Sequence, residues 1–119
     1  MRVRIATEAE ALTLVPNLMM RSQVLVVETS DESPVICGYV AICGDGGSHL
    51  YCHDLYCSGD PFAAVALFQR ARSVACDNGY EGVKWDVKND YPSLMKMKRA
   101  KMWTEDGMVK MNLPGVMRA

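Results

Sequence analysis

The chain alternates between two hydrophobic periods, which predict a mixture of strands and helices. Near-alternating or β-branched patterns predict four strands in the first half: Arg2–Ile5, Val24–Thr29, Val35–Cys43 and His49–Cys57. Short turns join the last three strands, so the sequence predicts an antiparallel meander. The segment Val35–Cys43 is apolar on both faces, which indicates a central position in the sheet.

End signals predict two helices in the same part of the chain. Thr7, followed three residues later by Glu10, has the pattern of a capping box, and Pro16 should end that helix early. A second, longer helix should begin at Asp60-Pro61, carry an apolar stripe at helical spacing and stop at Asn78-Gly79.

The rest of the sequence, from Gly82 onward, predicts a strand, a basic helix and a hairpin. In the strand Gly82–Lys88 the inward positions are Val83, Trp85 and Val87. The basic helix covers about residues 92–101, and the hairpin turns at Asp106-Gly107. The second hairpin strand should bury Val109, Met111 and Leu113. If the strands on either side of the long helix are parallel, that crossover should be right-handed.

Length and composition are those of one small globular domain. The 119 residues suit a single domain at residues 1–113 with a loose tail at 114–119. A formal net charge of -1 gives no overall signal for nucleic acid or an anionic membrane. The start lacks the apolar run of a secretion signal, and no segment has the length of a membrane helix. Five cysteines, an odd number, then favour reduced thiols and a cytoplasmic location.

Four local segments, in this order of elements, carry a resemblance to a known family. They are Asp54–Cys57, Gln69–Tyr80 with the following Glu81–Val83, Asn89, and Trp103–Gly107. Together they resemble the GNAT superfamily of acyl-CoA-dependent N-acetyltransferases over about residues 1–113. The resemblance implies an α/β (α+β) fold, with a mixed, mostly antiparallel sheet flanked by helices. It also implies acetyl-CoA as cofactor and direct transfer of the acetyl group to a primary amine.

The same resemblance implies roles for particular residues. In this family a general base often comes from the strand that corresponds to His49–Cys57, so the candidate catalytic residues are His53 and Asp54. The end of that strand, the following loop and the asparagine after the next strand would hold the cofactor. The implied cofactor-binding residues are Tyr56, Cys57, Ser58, Gly59, Ala63 and Asn89.

Three departures from the family pattern concern the chemistry. The phosphate-binding loop corresponds to Ser58–Ala64, which has one glycine, and Asp60 would repel a pyrophosphate by about 1 kcal/mol at 4 Å even in water. The basic helix contains no tyrosine to protonate the leaving thiolate, although Tyr91 precedes it. The region between the first two strands is short, so an acceptor site would be open or completed by a partner.

These departures leave a second hypothesis, a catalytically inactive GNAT-like module that binds another protein or a second copy of itself. Such a small, divergent chain would suit a bacteriophage or another mobile element. The two hypotheses differ in the sheet. The enzyme predicts a splayed gap between the strands that contain Cys57 and Val83, whereas the binding module predicts a closed or blocked gap and a stable partner or self-assembly.

Two further groups of residues are candidates for a metal site and for a binding surface. Cys52, His53 and Cys57 invite a metal hypothesis, but an odd separation should send Cys52 and Cys57 to opposite faces of a strand, so we expect no metal site. Adjacent Cys52 and His53 should likewise face apart, which excludes direct pairing. A basic cluster could be a solvated face, an anion site or a protein-docking face: Lys96, Lys98, Arg99 and Lys101.

Overall fold

The computed structural model describes residues 1–18, 21–44, 46–57, 61–87 and 102–113, which contain seven strands and two helices. In chain order these elements are β1 (Arg2–Ile5), α1 (Glu8–Leu14), β2 (Gln23–Glu28), β3 (Ile36–Cys43), β4 (His49–Cys57), α2 (Pro61–Asp77), β5 (Gly82–Asp86), β6 (Met102–Glu105) and β7 (Met108–Asn112). The predicted basic helix at 92–101 and the predicted tail at 114–119 lie outside the described residues.

The strands form one mixed sheet in the order β1-β2-β3-β4-β5-β7-β6. β1 to β4 pair antiparallel with their neighbours, which confirms the predicted meander. β4 and β5 are parallel and are joined through α2. The predicted hairpin is confirmed: Asp106 and Gly107 have φ of 54° and 75°, the left-handed values that a tight two-residue turn requires. Its second strand, β7, pairs with β5 as well as with β6.

Hydrophobic side chains cover both faces of the sheet. On one face α2 packs its apolar stripe against the sheet, with Phe68 fully buried and its ring centroid 5.2 Å from that of Trp85 on β5. On the other face the shorter α1 covers a smaller cluster that includes Val24, Val26 and Ala41. We call these the α2 face and the α1 face. This two-sided burial explains why β2 and β3 are apolar at consecutive positions.

Local signals in the sequence set most element ends. Thr7 and Glu10 form the predicted capping box, and α1 ends at Leu14, before Pro16. α2 begins at Pro61, and Gly79 follows it with a φ of 80°. The prediction for Val87 was wrong: β5 ends at Asp86, and Val87 is 47% exposed.

An ion-pair network ties α1 to the edge of the sheet. Glu28 on β2 has a buried carboxylate that pairs with Arg2, and its Oε2 lies 3.3 Å from Nε of Arg4. Arg4 also donates two hydrogen bonds of 2.8 Å to the carboxylate of Glu10. Hydrogen bonds from Arg4 and from the Thr7 backbone lower the pKa of Glu10 to about 2, and those from Arg2 lower the pKa of Glu28.

These lowered pKa values predict a stability that depends on acid pH. Because the unfolded chain binds protons to Glu10 and Glu28 more readily than the folded chain does, the free energy of unfolding should fall as the pH decreases from about 4.5 toward about 2. Urea denaturation across this range should show a shallower decline for Glu10→Gln. Glu8→Gln, in the same helical turn, should keep the original slope. Equal slopes for all three proteins would contradict the network.

Candidate functional site

The parallel strands β4 and β5 separate at their carboxyl ends. Their described pairing comprises His49 with Gly82, Leu50 with Val83 and Tyr51 with Lys84. Beyond these pairs β4 continues alongside β3 as far as Cys57, and β5 continues alongside β7 as far as Asp86. The two strands therefore diverge, and the β4–β5 cleft is the space between residues 52–57 of β4 and residues 85–86 of β5. Ligands of sheets with parallel strands commonly bind at the carboxyl ends of those strands.

A β-bulge lies in the part of β4 that borders this cleft. Tyr39 is opposite Tyr56, but Ala41 is opposite His53, so β4 contains one extra residue between these pairs. Asp54, within this stretch, has a φ of 51°, and aspartate is one of the few non-glycine residues that tolerate such a left-handed value. Bulges commonly redirect side chains next to active sites.

The bulge reverses the alternation of side chains along β4. Cys52 and Cys57 both pack against the core on the α2 face, so the prediction that they face apart was wrong. The extra residue supplies the reason, because it turns an odd separation into an even number of strand positions. His53, opposite Ala41, and Tyr56, opposite Tyr39, share the α1 face instead. Cys52 and His53 do face apart, and burial raises the pKa of the Cys52 thiol to about 12.

His53 is held between a carboxylate and a hydroxyl group. Its imidazole is buried, Nδ1 lies 2.7 Å from Oδ2 of Asp54, and Nε2 lies 3.4 Å from Oγ of Ser22. An ionised carboxylate can only accept hydrogen bonds, so Nδ1 carries the proton. In the neutral ring Nε2 is then the basic atom, and it is directed toward Ser22. Asp54 itself is exposed.

Aromatic rings extend this site along the α1 face. Tyr51 stacks on His53 with ring centroids 5.2 Å apart, and Tyr39 stacks on Tyr56 at 5.7 Å. Tyr56 is 54% exposed, so part of this ring surface faces solvent. The Tyr51 ring therefore covers one side of the His53 imidazole, whose Nε2 lies near Ser22.

The second histidine, His49, has a structural environment. It lies in the closed part of the β4–β5 ladder, where Nδ1 is 2.7 Å from Oγ of Ser48 and Nε2 is 2.7 Å from Oδ1 of Asn112. His49, Gly82 and Asn112 are consecutive partners across β4, β5 and β7. Gly82 allows the backbones of β5 and β7 to approach closely here, because a Cβ at this position would lie 2.0 Å from the carbonyl oxygen of Met111.

The predicted site residues occupy several environments. His53 and Asp54 are in contact, and Tyr56 shares their face. Cys57 is half-buried at the end of β4 on the α2 face, and the Ala63 side chain is fully buried in the core. Ala63 can therefore offer only its backbone amide, in the first turn of α2, where amides lack partners within the helix. Ser58, Gly59 and Asn89 lie outside the described residues, as does Asp60.

Sequence reasoning did not identify Ser22, because it lies 31 residues from His53 and is not part of a recognisable motif.

No protein-family model matches the chain, and no curated protein matches it either. In the part of the chain that the structure describes, neither helix is long and apolar enough to cross a membrane. The residues of the β4–β5 cleft are therefore the basis for assigning a function.

Proposed function

We propose that the protein is a GNAT-like acyl-CoA-dependent N-acyltransferase that transfers an acetyl group from acetyl-CoA to an amine. The observation that carries this proposal is the β4–β5 cleft, with the His53–Asp54 pair on the strand that borders it. A cleft at the carboxyl ends of parallel strands is a common ligand site, and a buried histidine oriented by a carboxylate has the geometry of a general base.

The cleft has the chemistry to hold an extended cofactor arm. The described pairing of β4 with β5 ends at Tyr51 and Lys84, and β4 continues beyond it as far as Cys57. The pantetheine arm of acetyl-CoA contains amides, which can bind to such a strand edge as an added strand would. The arm would follow β4 toward Cys57, and the pyrophosphate would lie near the amino end of α2, where backbone amides favour anions.

His53 would supply the base for the transfer. Nε2 removes a proton from the acceptor ammonium, while Asp54 holds the proton on Nδ1 and stabilises the imidazolium that forms. The free amine attacks the thioester carbonyl, the new C–N bond forms, and the C–S bond breaks to release the thiolate of CoA. The residues proposed from the sequence to protonate that thiolate, Tyr91 and the lysines of 92–101, lie outside the described residues.

The inactive protein-binding module is less well supported by this sheet. That hypothesis predicts a closed or blocked gap between β4 and β5, and a closed gap would need pairing to continue from Cys52 with Trp85 onward. Both residues lie in strands, but the described pairing of β4 with β5 ends one position earlier, at Tyr51 and Lys84. The open cleft therefore favours the enzyme.

Protection of a cysteine from alkylation tests the cofactor site. Acetyl-CoA bound along β4 should cover Cys57 and slow its reaction with iodoacetamide several-fold, as measured by peptide mass mapping. Cys76 is exposed near the carboxyl end of α2 and is the internal control, because its reaction rate should not change. Adenosine alone should protect neither residue. Equal alkylation of Cys57 with and without acetyl-CoA would count against the proposed function.

A further inference from the structure

A cavity of about 400 Å³ lies beside α1, apart from the β4–β5 cleft. This volume is within the range of small-molecule sites. Two of the residues in its wall, Ile5 and Leu12, are 51% and 53% exposed, so large apolar side chains face solvent there. The lining residues are Ile5, Ala6, Glu8, Ala11, Leu12, Leu18, Arg21, Ser22, Gln23 and Val24.

The lining favours a ligand with an apolar body. Most of the described wall consists of aliphatic side chains from β1, α1, the start of β2 and the segments on either side of α1. Glu8 and Arg21 also line it, but they carry opposite charges and give the wall no net charge.

Ser22 connects this cavity to the base. It lines the cavity, and its Oγ is 3.4 Å from Nε2 of His53, which in turn contacts the carboxylate of Asp54. A ligand in the cavity can thus place a polar end beside Ser22 while its apolar part contacts Ile5 and Leu12. The negative charge of Asp54, behind His53, favours a cation at this end.

We propose that the cavity holds the apolar body of the acceptor, and that Ser22 positions the acceptor amine beside His53. The acceptor class is then an amine on an aliphatic body, rather than a polyhydroxylated amine or a highly charged peptide. The Ser22 hydroxyl accepts a hydrogen bond from the ammonium and donates one to Nε2 of His53, so the ammonium proton reaches Nε2 through this hydroxyl group. This inference rests on the proposed function for the role of the amine, but binding to the cavity can be measured without catalysis.

A series of alkylamines tests the cavity directly. In an NMR titration, n-butylamine, n-hexylamine and n-octylamine should bind saturably and shift the amide signals of Leu12 and Ser22. Burial of each added methylene should raise the affinity about threefold to fourfold. n-Hexanol should bind more weakly than n-hexylamine, because it lacks the charge. Equal binding of the alcohol and the amine, or shifts scattered over the surface, would overturn the proposal.

Matched variants locate the binding. Leu12→Ser replaces an exposed apolar residue of the cavity wall and should weaken n-hexylamine binding at least several-fold. Val35→Ser replaces a residue with a similar exposed fraction that does not line the cavity, and it should leave binding unchanged. Because both positions are exposed, both variants should fold, and their melting temperatures provide the check. Equal binding by the two variants would overturn the proposal.

A spectroscopic signal tests the positioning role of Ser22. Binding of n-hexylamine should change the imidazole nitrogen chemical shifts of His53 in the wild-type protein and in Ser22→Thr, which retains the hydroxyl. Ser22→Ala should lose this change. An unchanged response in Ser22→Ala would overturn the role of Ser22.

The results also separate this inference from the proposed function. If acetyl-CoA protects Cys57 but alkylamines do not shift Leu12 and Ser22, the cavity proposal fails and the cofactor site stands. If alkylamines bind but acetyl-CoA gives no protection, the acyltransferase proposal fails and the amine site stands.

Discussion

Replacement of His53 by glutamine should lower the rate of acetyl transfer from acetyl-CoA to n-hexylamine by about 10²-fold to 10⁴-fold, the usual contribution of a general base. Glutamine keeps a polar side chain of similar length but cannot take a proton from the ammonium at neutral pH. Chromatographic measurement of the acetylated amine gives the rate. Acetyl-CoA binding should be unchanged, since His53 lies on the α1 face with Nε2 near Ser22, on the side proposed for the acceptor.

The chain contains a matched control for this substitution. His49 and His53 are its two histidines, both are buried, and both lie on β4. His49 contacts Ser48 and Asn112 in the closed part of the ladder, so His49→Gln should affect stability more than the rate of transfer. Asp54→Asn should also reduce transfer strongly, because an amide that donates to Nδ1 leaves the proton on Nε2 and removes the basic nitrogen. Transfer by His53→Gln within twofold of wild type would show that His53 is not the base.

Replacement of Phe68 by alanine should lower the free energy of unfolding by about 3–5 kcal/mol, the typical cost of removing a buried aromatic ring. Phe68 is fully buried in α2 and contacts Trp85 of β5 edge to face. Its loss would leave a cavity between the helix and the strand that forms one side of the cleft. Urea denaturation monitored by circular dichroism measures the change.

Phe62 is the control for that experiment. It is the other phenylalanine of the chain, lies in the same helix and is 73% exposed. Phe62→Ala should change the free energy of unfolding by about 0.5 kcal/mol or less, as surface substitutions usually do. Similar losses of stability in the two variants would contradict the packing of α2 against the sheet.

The sequence alone was sufficient to predict the features of the fold that depend on local signals. The meander followed from three apolar segments joined by short turns, and the helix ends followed from Thr7, Pro16 and Gly79. The hairpin at Asp106-Gly107 followed from its turn residues. Each of these depends on residues that are near one another in the chain, so their pattern is visible without knowledge of the tertiary structure.

The features that the sequence did not reveal depend on contacts between distant segments. The bulge in β4 has no characteristic sequence pattern, and it places Cys57 on the same face as Cys52, contrary to the prediction. Ser22 reaches His53 because β2, β3 and β4 are neighbours in the sheet. The pairing of β7 with β5 arises in the same way. The sequence predicted His53 and Asp54 as candidates for the base. The orientation of the His53 imidazole is known only from the structure.

Calorimetric titration with acetyl-CoA is the most direct test of the acyltransferase proposal. The β4–β5 cleft predicts saturable binding of one acetyl-CoA per chain, with a dissociation constant in the micromolar range and the same affinity in His53→Gln. An absence of binding heat at several temperatures with millimolar acetyl-CoA would contradict the proposal, and the cleft would then have to be assigned to a different ligand.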